Sequence, residues 1–112
     1  MNPQIKQKWV SALRSGDYQQ GECYLRKEDG FCCLGVLCDL YGKENNVEWT
    51  PSGFDNAYAF QGNVGDLPSS VIEWAGVEDS NPYIIGGIGT LSGLNDKGFT
   101  FNKIADLIEN HL

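Results

Sequence analysis

Three cysteines crowd one apolar segment, Phe31-Cys32-Cys33-Leu34-Gly35-Val36-Leu37-Cys38-Asp39-Leu40-Tyr41, and thiols have the widest chemical range of any side chain in this sequence. As thiolates they bind soft metals, and they also pair as disulfides or attack carbonyl carbons. Tetrahedral zinc needs four converging ligands. On a helix, at about 100° per residue, Cys32, Cys33 and Cys38 diverge by more than about 90°, and the chain has no Cys-x-x-Cys pair. No metal and no other cofactor is expected. Adjacent Cys32 and Cys33 are poorly placed to pair with each other, and Met1 to Ser15 holds no apolar signal core, so the chain reads as cytoplasmic with reduced thiols. The same helical projection gathers Cys33, Val36, Leu37, Leu40 and Tyr41 on one face, with Cys32, Gly35 and Asp39 roughly opposite, which makes Cys33 a core residue.

A thiol at a helix N-terminus can also act as a nucleophile, because the helix dipole favours the thiolate. Cys33-Leu34-Gly35-Val36-Leu37, ending in Leu40-Tyr41, resembles the nucleophile helix of papain-like cell-wall peptidases. That resemblance implies a thiol hydrolase using Cys32 or Cys33. Such an enzyme needs a histidine on a downstream strand as general base. The one histidine is His111, next to last, where a partial positive charge suits the C-terminal end of a frayed helix. No catalytic residue is therefore assigned.

The second chemistry within reach is recognition of an anion. The chain has only two arginines, Arg14 and Arg26. Lys27 follows Arg26, and Tyr18 and Gln20 lie a few residues before it. A guanidinium engages phosphate bidentately, aromatic faces stack on bases, and amides read base edges. Trp49, Phe54 and Tyr58 supply further stacking faces from the segment 43–66. Arg14, Tyr18, Gln20, Arg26, Lys27, Trp49, Phe54 and Tyr58 are thus the candidate ligand contacts, each with a plainer alternative. Exposed arginines are commonly solvated or salt-bridged, and loop aromatics commonly pin a loop to the core. The run Gly86-Gly87-Ile88-Gly89 suits a hairpin or an anion-binding nest and lacks the dinucleotide and P-loop fingerprints. Asn95-Asp96 reads as a turn.

Composition sets the bounds. A chain of 112 residues, 41% hydrophobic with thirteen aromatics, suits one domain with a single modest core. Eight Lys and Arg against fifteen Asp and Glu leave a net charge of −7, which opposes duplex nucleic acid as a partner, since neutralising phosphates needs a basic footprint. No apolar run of about eighteen residues exists to span a membrane. The modest core and the aromatic-rich segment favour a homo-oligomer, a dimer or larger.

Asn2-Pro3 starts a first helix whose Ile5, Trp9, Ala12 and Leu13 share a face up to Ser15-Gly16. Cys23 to Arg26 is expected as a strand, turning at Glu28-Asp29-Gly30 into the cysteine helix, which Gly42 closes as a left-handed C-cap. A long irregular loop is expected at about 43–66. Leu67-Pro68 opens a short helix that Gly76-Val77 stops, Tyr83 to Ile85 is a strand, Leu94 to Gly98 a turn, and Thr100 caps a last helix striped with Phe101, Ile104, Ala105, Ile108 and Leu112. These elements predict an α+β fold: three to four helices around a small, partly antiparallel sheet in a single compact domain over 1–112.

Trp9 with Ala12-Leu13-Arg14-Ser15-Gly16, Tyr18-x-Gln20-Gly21, Leu25-Arg26, the Phe31-to-Tyr41 segment, Leu67-Pro68 to Trp74-Ala75-Gly76, and Leu94-Asn95-Asp96 to Ile104-Ala105-Asp106-Leu107-Ile108 resembles a family of small, largely uncharacterised bacteriophage proteins. The resemblance spans most of the chain. It implies a non-catalytic binder in the cytoplasm of an infected bacterium, acting as an anti-defence sponge for a nucleotide immune signal, either a cyclic oligonucleotide or an ADP-ribose derivative. A different class, a protein-interaction inhibitor that covers a host factor with an acidic surface, also fits the charge.

Overall fold

The asparagine and proline at the N-terminus act as capping chemistry predicts. In the computed structural model, which describes residues 1–84 and 88–112, the Asn2 side chain accepts from the Gln4 and Ile5 N–H groups at 2.8 and 3.1 Å. Helix α1 then runs Pro3–Arg14 and buries Ile5, Trp9, Val10 and Leu13. The Trp9 indole N–H donates to the Cys33 carbonyl at 3.0 Å, which fixes α1 against the start of the cysteine helix.

Strand β1 is Arg26–Lys27, turned at Glu28-Asp29 into β2, Gly30–Phe31. The strand expected from Cys23 therefore starts three residues late. Cys23 sits at φ 73, with its N–H on the Asp96 carboxylate, and the Leu25 N–H goes to the Val64 carbonyl instead of a strand partner. Helix α2 follows over Cys33–Asn45. Every residue from Cys32 to Cys38 is buried, including Cys32 and Gly35 on the face expected to lie away from the core. The reason is the Leu25 backbone, which lies so close to Gly35 that a β-carbon there would collide with the Leu25 carbonyl.

Gly42 is not the C-cap. The helix continues one turn further, and Asn46, at φ 58, supplies the left-handed residue. Gly42 is buried, and the position needs glycine because a β-carbon there would lie 2.5 Å from the Val47 carbonyl oxygen and 3.1 Å from the Phe60 ring. The irregular loop expected at 43–66 is likewise partly ordered: its start is the last turn of α2, and β3, Thr50–Pro51, pairs with β4, Ala57–Ala59. All four strands form one antiparallel sheet in the order β2-β1-β4-β3. Backbone pairing claims this segment because Phe60, fully buried, anchors its end in the core.

Helix α3, Ser69–Ala75, ends at Gly76 with φ 70, whose N–H and that of Val77 both reach the Ile72 carbonyl. The short antiparallel pair β5, Tyr83–Ile84, and β6, Gly89–Thr90, leads into α4, Leu91–Asp96, and α5, Phe101–His111. Thr90 and Thr100 cap these helices through the Gly93 and Lys103 N–H groups. Asn95-Asp96 thus belongs to a helix, because the Thr90 cap starts α4 before the expected turn. Trp9, Leu25, Leu34, Leu37, Phe60, Ile104 and Ile108 fill the centre of one core. The fold is α+β: a compact single domain with, among the described residues, five helices, the four-stranded sheet and a two-stranded one. None of these helices is long and apolar enough to cross a membrane.

Candidate functional site

Cross-strand register brings four side chains into one row. Arg26 on β1 is opposite Phe31 on β2 and opposite Tyr58 on β4, and Tyr58 is opposite Pro51 on β3. Directly paired residues project from the same face of a sheet, so the guanidinium is flanked by an aromatic ring on each side. Its central carbon lies 4.9 Å from the Phe31 ring centre, 4.8 Å from that of Tyr58 and 5.6 Å from that of Trp49. These are cation–π distances. Among the described residues, Arg26 has neither a carboxylate partner nor a side-chain hydrogen bond.

Asp39, on the outer side of α2, fixes the aromatic walls. One of its oxygens accepts from the Trp49 indole N–H at 3.0 Å, and the other accepts from the Tyr18 hydroxyl at 2.6 Å and pairs with the Lys43 ammonium at 3.3 Å. Lys43 also donates to the Tyr18 oxygen at 3.3 Å, and its pKa is raised by that bond and by Asp39. Tyr18 is pushed up to about 12, first by burial and second by its bond to Asp39. The rings are locked among themselves as well: Tyr18 meets Phe31 edge-on at 5.0 Å, and Trp49 packs on buried Phe60 at 4.9 Å.

Two open grooves run from this cluster, and Arg26, Asp39 and Lys43 line both. One, of about 770 Å³, adds Trp49, Tyr58, Asn46 and Glu48. The other, of about 640 Å³, adds Tyr18, Phe31, Ser11, Ser15 and Asp17. Volumes of this order suit small-molecule sites.

Of the eight candidate contacts, the structure therefore brings together Arg26, Tyr18, Trp49 and Tyr58. Lys27, next in the strand, leaves the opposite face of the sheet, and its ammonium lies 5.9 Å from the Tyr24 ring. Phe54 also belongs to that second cluster: it is 49% exposed, its ring centre is 5.9 Å from that of Tyr24, and the Tyr24 hydroxyl is bonded to Asp55. Gln20 and Arg14 are used internally. The Gln20 amide donates to Asn95 and to the Phe99 carbonyl at 2.9 and 2.8 Å and accepts from the Phe101 N–H at 3.1 Å, while buried Asn95 also bonds Gly21 and Cys33. Gln20 is thus a structural bridge, because its polar edge is saturated inside the fold. Arg14 joins α1 to α5 through Asp106 at 2.5 Å and Glu109 at 3.4 Å. Of the glycine run expected as a hairpin or nest, Gly86 and Gly87 lie outside the described residues.

Phe31, Asp39 and Lys43 were not among the expected contacts. A signal existed for the last two: an acid four residues before a base is a helical i,i+4 pair, and it is hidden only if the helix is ended at Gly42.

The thiols do not form a comparable constellation. Cys32 stands at the N-cap position of α2, where the N–H groups of Gly35 and Leu34 favour a thiolate, yet burial outweighs them and pushes it up to about 11. Cys33 and Cys38 are also raised by burial. The Cys33 thiol donates to the Leu91 carbonyl, and His111 lines a separate groove with Met1, Gly76 and Tyr83. No group of three potential metal ligands converges among the described residues.

A family model described as a domain of unknown function, DUF8296, matches residues 1–112. The chain belongs to that family. Neither a curated protein nor a solved structure matches this DUF8296 member.

Proposed function

We propose that this DUF8296 protein is a non-catalytic binder of a small anionic nucleotide, held at the Arg26 cluster. The observation that carries the reading is Arg26 itself: a cation ringed by Phe31, Trp49 and Tyr58, without a carboxylate partner among the described residues, in a chain of net charge −7. A guanidinium held that way presents its N–H edge to a phosphate, and the surrounding rings offer faces for a base. Asp39 holds Trp49 and Tyr18 in place before ligand arrives, which lowers the ordering cost of binding.

The biological role that goes with this reading is sequestration of a nucleotide immune signal, a cyclic oligonucleotide or an ADP-ribose derivative, in the cytoplasm of a phage-infected bacterium. The resemblance of the Phe31-to-Tyr41 segment and its flanking motifs to small phage proteins supports it. The binding unit is a homodimer or larger, a reading supported by the modest core that a chain of 112 residues can bury by itself. A stable monomer in light scattering at micromolar concentration, with and without ligand, overturns that part.

Calorimetry with a panel of cyclic dinucleotides, cyclic trinucleotides and ADP-ribose derivatives tests the binding. At least one is expected to bind, and heating is expected to return it chemically intact. An altered product makes the protein an enzyme, and no binding to any member removes the reading.

A further inference from the structure

Arg26, Asp39 and Lys43 form a ridge shared by the two grooves, and its charge limits what can lie on it. Asp39 is paired with Lys43 at 3.3 Å, so the ridge offers one uncompensated positive charge, on Arg26. A phosphodiester carries a single negative charge, whereas a terminal phosphate approaches two at neutral pH. Each groove is also lined by a carboxylate other than Asp39, Glu48 in the one and Asp17 in the other. A terminal phosphate lying within either groove would face like charge, while a base there would find an acceptor for its exocyclic amine or ring N–H. Both grooves, at about 770 and 640 Å³, fall in the range of small-ligand sites, and each has its own aromatic walls: Trp49 and Tyr58 in the first, Tyr18 and Phe31 in the second.

We infer that the ligand is a phosphodiester-linked dinucleotide, with its bridging phosphate on Arg26 and one base in each groove. This inference rests on the nucleotide-binding reading above and narrows it to two bases and a diester. Linking two bases through one phosphate makes the second contact intramolecular, so a dinucleotide gains over either half without any new chemistry.

The test is calorimetry on the purified protein with four linear dinucleoside monophosphates (ApA, GpG, CpC and UpU), the cyclic dinucleotides of adenine and guanine, the matching 5′-mononucleotides, and ADP-ribose. At least one dinucleotide, linear or cyclic, should bind about tenfold or more tightly than its mononucleotide. The linear compounds carry one diester and the cyclic ones two, so the two arms distinguish a ligand whose single phosphate lies on Arg26 from one that also turns a second phosphate away from both grooves. In the Ser11→Trp variant, which fills the Tyr18-side groove from the exposed face of α1, that affinity should fall to the mononucleotide level. Mononucleotides binding as tightly as every dinucleotide overturn the two-base inference and leave the nucleotide site standing. ADP-ribose binding more tightly than all of them overturns the diester. Unchanged dinucleotide affinity in a folded Ser11→Trp variant overturns the second groove. If no nucleotide binds at all, the proposed function falls as well.

Discussion

The two arginines of this chain sit in opposite electrostatic settings. Arg14 lies on the seam between α1 and α5, with two carboxylates of the same helix, Asp106 and Glu109, closing around it, and those partners raise its pKa. Arg26 lies on the sheet with three aromatic rings and, among the described residues, no carboxylate within salt-bridge distance. Rings attract a cation through their quadrupole but leave its charge uncancelled toward solvent, whereas carboxylates cancel it. One arginine is therefore spent on joining two helices, and the other keeps a charge to offer. Residue type alone does not separate them.

The change expected to break this contrast most severely is Gly35→Ala. The added methyl would meet the backbone carbonyl of Leu25, the residue before Arg26, and backbone cannot rotate aside as a side chain can. Overpacking of this kind reaches about 3 kcal/mol, so the melting temperature should drop steeply. A variant that melts like the wild type would show that the sheet is not seated on α2 as described.

Next in size is Arg26→Ala. Loss of a charge-assisted bond to phosphate costs about 1.5–3 kcal/mol, roughly ten- to a hundredfold in nucleotide affinity. The melting temperature should fall only modestly, through the lost contact with Phe31, Trp49 and Tyr58. Unchanged affinity by calorimetry would make Arg26 a structural cation like Arg14.

Alkaline pH sharpens the comparison from another side. The Tyr18 hydroxyl, ordinarily at 10.0, is held up to about 12 in the fold. The folded state then keeps the proton more tightly than the unfolded chain, so the stabilisation is complete below about pH 10 and is lost as pH rises toward 12. Buried Cys32, raised from 9.0 to about 11, acts in the same sense over a slightly lower window. Tyr18→Phe should lower the melting temperature near neutrality by the lost bond to Asp39, and should make its decline between about pH 10 and 11.5 shallower than in the wild type. Parallel declines would mean that Tyr18 is not protonated more tightly in the fold.

Arg14→Ala should have the smallest effect. Its guanidinium and both carboxylates are exposed to water, which screens such pairs, so thermal melting should shift only slightly and nucleotide affinity not at all. A loss of affinity matching that of Arg26→Ala would erase the distinction between the two sites.

Much of the helical skeleton was readable from short stretches of sequence. Asn2-Pro3, Gly76-Val77 and Thr100 act through bonds to backbone groups within a few residues, so their effect travels with the local sequence. The burial of Trp9, Cys33, Ile104 and Ile108 follows from helical period in the same way. Gly42 shows the limit of that reading. A glycine near the end of an apolar helix looks like a cap, and here it is a point of close contact with Val47, just past the helix end, and with Phe60, which only folding brings there. Two-residue strands carry no period at all, so β1 to β4 could not be bounded from sequence, and the row of Arg26, Phe31 and Tyr58 depends on their register. Sequence by itself determined the α+β composition, the caps at Asn2, Gly76 and Thr100 and the apolar faces of α1 and α5, because these are set by neighbours along the chain. Tertiary structure alone decided that Asp106 and Glu109 reach Arg14 across some ninety residues while aromatic rings reach Arg26, because a charge is cancelled or kept by whatever packs within a few ångströms of it, and distance along the chain does not fix that.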